Sequence, residues 1–138
     1  MRETAKALPS LVLCGIMVLL PAAAVADQSS ELGKKLYGRY CSACHGPGGK
    51  GDGVVSQFMQ PKPPDLTQLA KKANGRFPFY DLVRIIDGRE TVRAHGDSDM
   101  PVWGQMFTAE EGDSPDRHAV ARGKVVLITD YLESIQVK

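Results

Sequence analysis

The sequence predicts a small all-α domain, on three observations. Apolar residues recur at helical spacing near both ends of the domain: Leu32, Leu36, Tyr37 and Tyr40 early, and Val125, Ile128, Tyr131, Leu132 and Ile135 late. No stretch alternates apolar and polar residues as a half-buried strand does. Between the helical stretches run glycine- and proline-rich segments that pack poorly on themselves, so they suit loops wrapped around something large and apolar.

Each element has a local reason. Ser29 or Ser30 can cap a first helix that runs to about Tyr40. Gly46-Pro47-Gly48-Gly49-Lys50-Gly51-Asp52-Gly53 follows as loop, because so many glycines would lose backbone freedom without packing gain in a regular element. Gln60-Pro61-Lys62-Pro63-Pro64-Asp65 reads as extended, since residues before proline are pushed away from the helical region. Phe77 to Asp87 is the next helix, with Leu82, Val83, Ile85 and Ile86 as its buried stripe and Gly88 as its stop. Arg89 to Trp103 lacks periodicity and reads as a loop. Thr108 with Glu111 fits a capping box over one short turn. Ser114-Pro115 supplies the N-cap and first position of a last helix running to about Ser134. Gly123 interrupts that helix at a cost of about 1 kcal/mol against alanine. Close crossing by another helix would explain it, with Gly33 as the matching gap.

The 138 residues fit one domain behind an N-terminal address. Arg2 and Lys6 form a basic start, Leu11 to Leu20 is an uncharged run, and Pro21 breaks it. Ala24-Val25-Ala26 matches a small-residue cleavage site before Asp27. The expected division is a signal peptide over residues 1–26 and a domain over 27–138, exported to the periplasm. Retained instead, Ala7 to Ala26 is long enough to span a bilayer, although Pro9, Ser10 and Pro21 weaken it as an anchor. Lipid attachment at Cys14 is disfavoured by Leu13, where a small residue is needed. Cleavage removes Arg2, Lys6 and Glu3, so 17 basic and 16 acidic residues become 15 and 15. A chain of zero formal charge lacks the basic surface that a nucleic-acid partner requires.

Cys14 leaves with the leader, and two cysteines remain. They lie in Cys41-Ser42-Ala43-Cys44-His45, a C-x-x-C-H sequence and the signature of covalent haem attachment. Each sulfur can add across one haem vinyl group, and the histidine behind them reaches the iron. One motif implies one haem c with its iron. A disulfide between these cysteines would close a tiny loop and stabilise little. A small exported domain needs some other stabiliser, which a covalently held apolar cofactor supplies.

The opposite axial ligand has five candidates: His95, His118, Met59, Met100 and Met106. Met100 has the best context, in Asp99-Met100-Pro101-Val102-Trp103-Gly104, where proline directly after it stiffens the segment. Trp103 covers the ring or packs in the core. Met59 follows the motif too closely, and Met106 sits beside Phe107 and packs. His95 is the rival, since imidazole binds iron more tightly than thioether does, but its polar neighbours read as exposed loop. His118, near the start of the last helix, faces water. Thioether ligation favours ferrous iron and raises the reduction potential over a second imidazole. With both axial positions filled, such a site passes single electrons and does little else.

The motif, the glycine-rich loop, Pro63-Pro64-Asp65-Leu66-Thr67, Asp99-Met100-Pro101 and the final amphipathic helix resemble a class I (His/Met) monohaem bacterial cytochrome c, over about Leu32 to Leu132. The resemblance implies first and last helices that cross, long loops around one covalent haem, and transient docking with redox partners. It implies that a proline carbonyl in a P-[ND]-L segment accepts the hydrogen bond of the ligating histidine's other nitrogen, which makes Pro64 the candidate. It also implies a helix crossing through a small residue and aromatics, matched by Gly33 and Tyr37 against Ile128 and Tyr131. Tyr37 stands where phenylalanine is more usual.

Other classes fit less well. A thiol–disulfide oxidoreductase needs a strand before the motif, and a zinc site needs two more regularly spaced ligands. A haem sensor or peroxidase-like enzyme with an open sixth position is the best rival. The expected reading is an electron carrier rather than an enzyme. Its donor or acceptor is a dehydrogenase or oxidase, with the chain acting as free shuttle or as bound subunit.

Overall fold

The computed structural model describes residues 22–89 and 100–137 of the chain. Its helices are α1 (Ala22–Tyr40), α2 (Ser42–His45), α3 (Leu69–Lys72), α4 (Phe79–Asp87), α5 (Trp103–Glu110) and α6 (Arg117–Ser134). Two short 3-10 turns, Ser56–Phe58 and Leu66–Gln68, punctuate the loops, and no strand occurs among the described residues. The all-α expectation holds. No helix among the described residues is long and apolar enough to cross a membrane.

The architecture turns on the crossing of α1 and α6, the most extensive helix contact in the described chain. Gly33 makes that crossing possible. A Cβ there would strike the Leu127 carbonyl and lie 2.9 Å from the Tyr131 Cβ. One turn along, the Tyr37 and Tyr131 rings meet with centroids 5.1 Å apart. The expected partnership of Gly33 and Tyr37 with Ile128 and Tyr131 is therefore present. Gly123 is not the matching gap: nothing lies within 4 Å of the position its Cβ would take, and it faces outward. On α6 it is backbone at Leu127, not a glycine, that receives α1.

α4 and α5 also pack against α6. The core joins Tyr37, Cys41, Ile86, Phe107, Ala121, Val125, Ile128, Tyr131 and Leu132 in one apolar cluster. Thr129 is buried among them without penalty because its hydroxyl donates to the Val125 carbonyl at 2.9 Å. On α4, Leu82 and Ile86 are buried while Val83 and Ile85 are half-buried, and Gly88 ends the helix in the left-handed conformation at φ 79°.

Three expected boundaries change. Ser29 and Ser30 lie inside α1 rather than capping it, because the alanine-rich residues 22–26 are strong helix formers and begin the helix earlier. Thr108 and Glu111 do not form a capping box. Thr108 sits within α5, where its hydroxyl donates to the Gly104 carbonyl at 2.7 Å, and Glu111 is taken by Lys124 at 2.7 Å. Ser114-Pro115 precedes α6 as a turn, in which the Asp116 amide donates to the Ser114 hydroxyl at 3.3 Å, so regular helix starts at Arg117. The Leu66–Gln68 turn and α3 had no clear periodic signal, being shorter than two helical turns.

The two helical glycines should respond oppositely to substitution. Gly33→Val forces α1 off α6 and should cost about 1–3 kcal/mol, as overpacked cores do. Gly123→Ala should gain about 0.5–1 kcal/mol, because the side chain meets open space and helix propensity improves. Denaturant unfolding of the two variants checks both signs.

Candidate functional site

α1 ends directly in the motif. The Cys41 amide donates to the Tyr37 carbonyl at 2.9 Å, and the His45 amide donates to the Cys41 carbonyl at 2.9 Å. Both sulfurs and the imidazole therefore stand on one nearly continuous helical track, with the Ser42 hydroxyl bound to the Gly38 carbonyl at 2.6 Å. The glycine-rich loop then folds back on the motif. The amides of Gly51, Gly53 and Val55 donate to the carbonyls of His45, Cys44 and Ala43 at 2.8, 3.2 and 3.0 Å. Gly51 must be glycine twice over: its φ is +77°, and a Cβ would run into the Pro63 carbonyl. This contact brings the Pro63-Pro64 main chain against the motif.

The proline segment is anchored from both sides. The Leu66 amide donates to the Gly49 carbonyl at 2.7 Å, and the Val137 amide donates to the Thr67 carbonyl at 2.9 Å. The Gln136 side chain donates to the Leu66 carbonyl at 2.8 Å and accepts from the Ala70 amide at 2.9 Å. Asp65 accepts from the Thr67 amide at 2.9 Å and from its hydroxyl at 2.6 Å. Tyr37 ties the crossing to the site, since its hydroxyl donates to the Gly46 carbonyl at 2.7 Å. That bond gives a physical use to the oxygen that phenylalanine would lack.

The electrostatics suit a covalent, metal-binding role. Cys41 and Cys44 are free thiols, not a disulfide. Burial, with Cys44 adding to it, pushes the Cys41 thiol up to about 12. A thiol–disulfide catalyst needs the opposite, an acidified and reactive thiol. Burial also lowers the pKa of His45 below its ordinary value, opposed by the Pro64 main chain. The ring is thereby kept neutral, the form that coordinates a metal. His45 Nδ1 is buried and makes no hydrogen bond of good geometry. Pro64 has no N–H, so only its carbonyl can act on this ring.

Met100 is half-buried and packs against the apolar cluster that contains Cys41, as do Tyr40 and Trp103. Trp103 packs against the core: its ring lies 5.5 Å from Tyr40 and 5.6 Å from Phe107, between centroids. Met59 is half-buried beside the Ser56–Phe58 turn and stands outside that cluster, and Met106 is exposed on α5. His118 is exposed on α6, on the wall of a separate cavity of about 610 Å³ shared with Asp87, Arg89, Arg117 and Arg122. Neither the motif nor Met100 lines that cavity. His95 lies outside the described residues.

The family model described as cytochrome c oxidase, cbb3-type, subunit III matches residues 28–114, well over half of the chain. No curated protein and no solved structure matches. The chain belongs to that family, a family of c-type cytochrome domains, so it is a haem-based electron-transfer protein with covalently bound haem c. The site fits the group. Two free sulfurs sit one turn apart, that of Cys41 within the apolar cluster, beside a neutral imidazole whose buried Nδ1 has no well-made partner.

The Asp65 turn holds the proline segment in a pH-dependent way. The Thr67 hydroxyl, then its amide and more weakly Lys72 and Lys50, hold the Asp65 carboxyl below its ordinary 3.8 against a smaller opposing effect of burial. The folded chain thus binds the proton more weakly than the unfolded one, and the stabilisation is fully present above 3.8 and lost as pH falls through the lower folded value. Asp65→Asn should lose stability at about pH 7 and show a shallower loss on acidification, read from denaturation midpoints across roughly pH 3 to 7.

Proposed function

We propose that the chain is a periplasmic carrier of single electrons, holding one haem c through thioethers at Cys41 and Cys44 with His45 and Met100 as axial ligands. The observation that carries this reading is the shared apolar cluster. Cys41 at the end of α1 and Met100 at the approach to α5 pack against the same core from chain segments far apart in sequence. Bound there, the haem supplies a one-electron iron couple. The protein does the rest. Cys41 and Cys44 fix position, and His45 presents a neutral nitrogen. With the ring ligated, the Pro64 carbonyl would take the Nδ1 hydrogen and so set the ring's orientation and basicity. Met100, stiffened by Pro101, offers a sulfur whose ligation raises the potential. Two protein ligands leave no position for substrate, which favours electron transfer over a sensor or a peroxidase-like enzyme.

The leader over residues 1–26 supports export, where covalent haem attachment and an oxidising compartment go together. A second reading concerns assembly. The family's name is that of an oxidase subunit, and it favours a cytochrome subunit that delivers electrons to a terminal oxidase over a shuttle free in the periplasm. Membrane association of the chain itself would require its leader to be retained.

Expression in a cell with an intact cytochrome-maturation pathway tests these points. The intact mass should equal the 112-residue chain (138 minus 26) plus one haem. Cys41→Ser or Cys44→Ser should leave one thioether and poor yield, and His45→Ala should give no stable holoprotein. Met100→Ala should keep its covalent haem, lose the weak red charge-transfer band of sulfur–iron bonding, fall in potential and take up carbon monoxide. An unchanged spectrum and potential in Met100→Ala would transfer the ligand role to His95. Copurification of an oxidase from the native host separates subunit from shuttle.

A further inference from the structure

The two halves of the site come from different parts of the chain. The motif continues α1, whereas Met100 precedes α5. One polar cluster joins these elements away from the haem ligands. Tyr40, directly before Cys41, donates its hydroxyl to Glu110 Oε2 at 2.9 Å. Lys124 of α6 donates to the same Glu110 oxygen at 3.1 Å and to Glu111 Oε1 at 2.7 Å. The end of α5 is thus tied at one point to the end of α1 and the middle of α6.

Beneath these bonds lies an aromatic layer. The Tyr40 ring meets Phe107 edge-on at 4.9 Å and Trp103 at 5.5 Å. Phe107 is wholly buried, and the Lys124 ammonium stands 5.4 Å above its ring. The Arg39 guanidinium covers the outer face of Tyr40 at 5.0 Å. Lys124 is mostly buried by this packing, with its side chain 19% exposed, so its charge is not free to swing into solvent. An isolated exposed ion pair is worth little. This one is charge-assisted on both carboxylates, partly desolvated and backed by rings, the setting in which such bonds are strong.

We propose that Tyr40, Glu110 and Lys124 are positioning residues that act through α5 to hold the Met100 segment against the haem. Trp103 begins α5 only three residues after Met100 and touches Tyr40 in the layer under the clasp. A shift of α5 relative to α1 would therefore move the sulfur relative to the motif. The clasp opposes that shift from the far end of the helix. It requires no contact between its own residues and the haem, and it rests on Met100 as the axial ligand.

The test uses ferric holoproteins of Tyr40→Phe, Glu110→Gln and Lys124→Met, each titrated with imidazole as a competing ligand. Losing one charge-assisted hydrogen bond should raise apparent imidazole affinity roughly tenfold. The red charge-transfer band should weaken and the potential should fall in parallel. Lys124→Arg, which keeps a cation in reach of both carboxylates, should restore wild-type behaviour. In a Met100→Ala background Tyr40→Phe should have no further effect on imidazole affinity, whereas a merely structural role would leave its effect intact. Imidazole affinities within about twofold of wild type in all three single variants would overturn the clasp. So would an undiminished effect in the Met100→Ala background. A wild-type ferric protein without the charge-transfer band would remove the ligand reading first, and the clasp with it.

Discussion

The main-chain contact between Gly33 and Leu127 is the constraint on which the rest of the fold depends. Missing one side chain lets α1 lie directly on the backbone of α6, and every later feature of the site is measured from that contact. Tyr37 lands on Tyr131 one turn along and reaches the Gly46 carbonyl with its hydroxyl. Cys41 follows one more turn on, already buried. Helix α1 thus delivers the first sulfur to the core as a consequence of how it crosses its partner, and no separate device is needed to place it.

From there the site is built of main chain more than of side chains. Three loop amides satisfy the carbonyls of Ala43, Cys44 and His45, and the loop that carries them rests on Pro63 through Gly51. The alternative to this folding-back would be a row of buried carbonyls without partners, which is costly. The same arrangement fixes the proline segment beside the imidazole, and the tail after α6 locks it through Gln136 and Val137. Burial then sets the chemistry: a thiol kept protonated is poor for thiol exchange, and an imidazole kept neutral can coordinate a metal.

A haem domain must also hold its second face, and here sequence-distant segments have to meet. The acidic run from Glu110 to Asp116 reads as solvated surface when only charge is counted. In the fold its first two members are taken up by one lysine, and the tyrosine before the motif joins them. The remaining members behave as the simple reading has it, with Asp113 an exposed partner of Arg117. Charge count does not separate these cases, because what differs is the aromatic floor beneath Glu110.

The sequence by itself determined the chemistry and the helical class. The C-x-x-C-H spacing makes sense on one helical turn regardless of what surrounds it, and the helical periods of the first and last segments come from local geometry. Gly88 as a helix stop and the extended proline run are local in the same way. The family's proline pattern also pointed to Pro64, whose main chain acts on His45. Only the tertiary structure decided that Gly123 takes no part in the crossing, since it looks like a match for Gly33 until α6 is laid on α1. It likewise decided that Thr108 back-bonds within a helix rather than capping one, and that Tyr40, Glu110 and Lys124 converge. Those outcomes depend on contacts between residues tens of positions apart, and a one-dimensional pattern carries no distance between them.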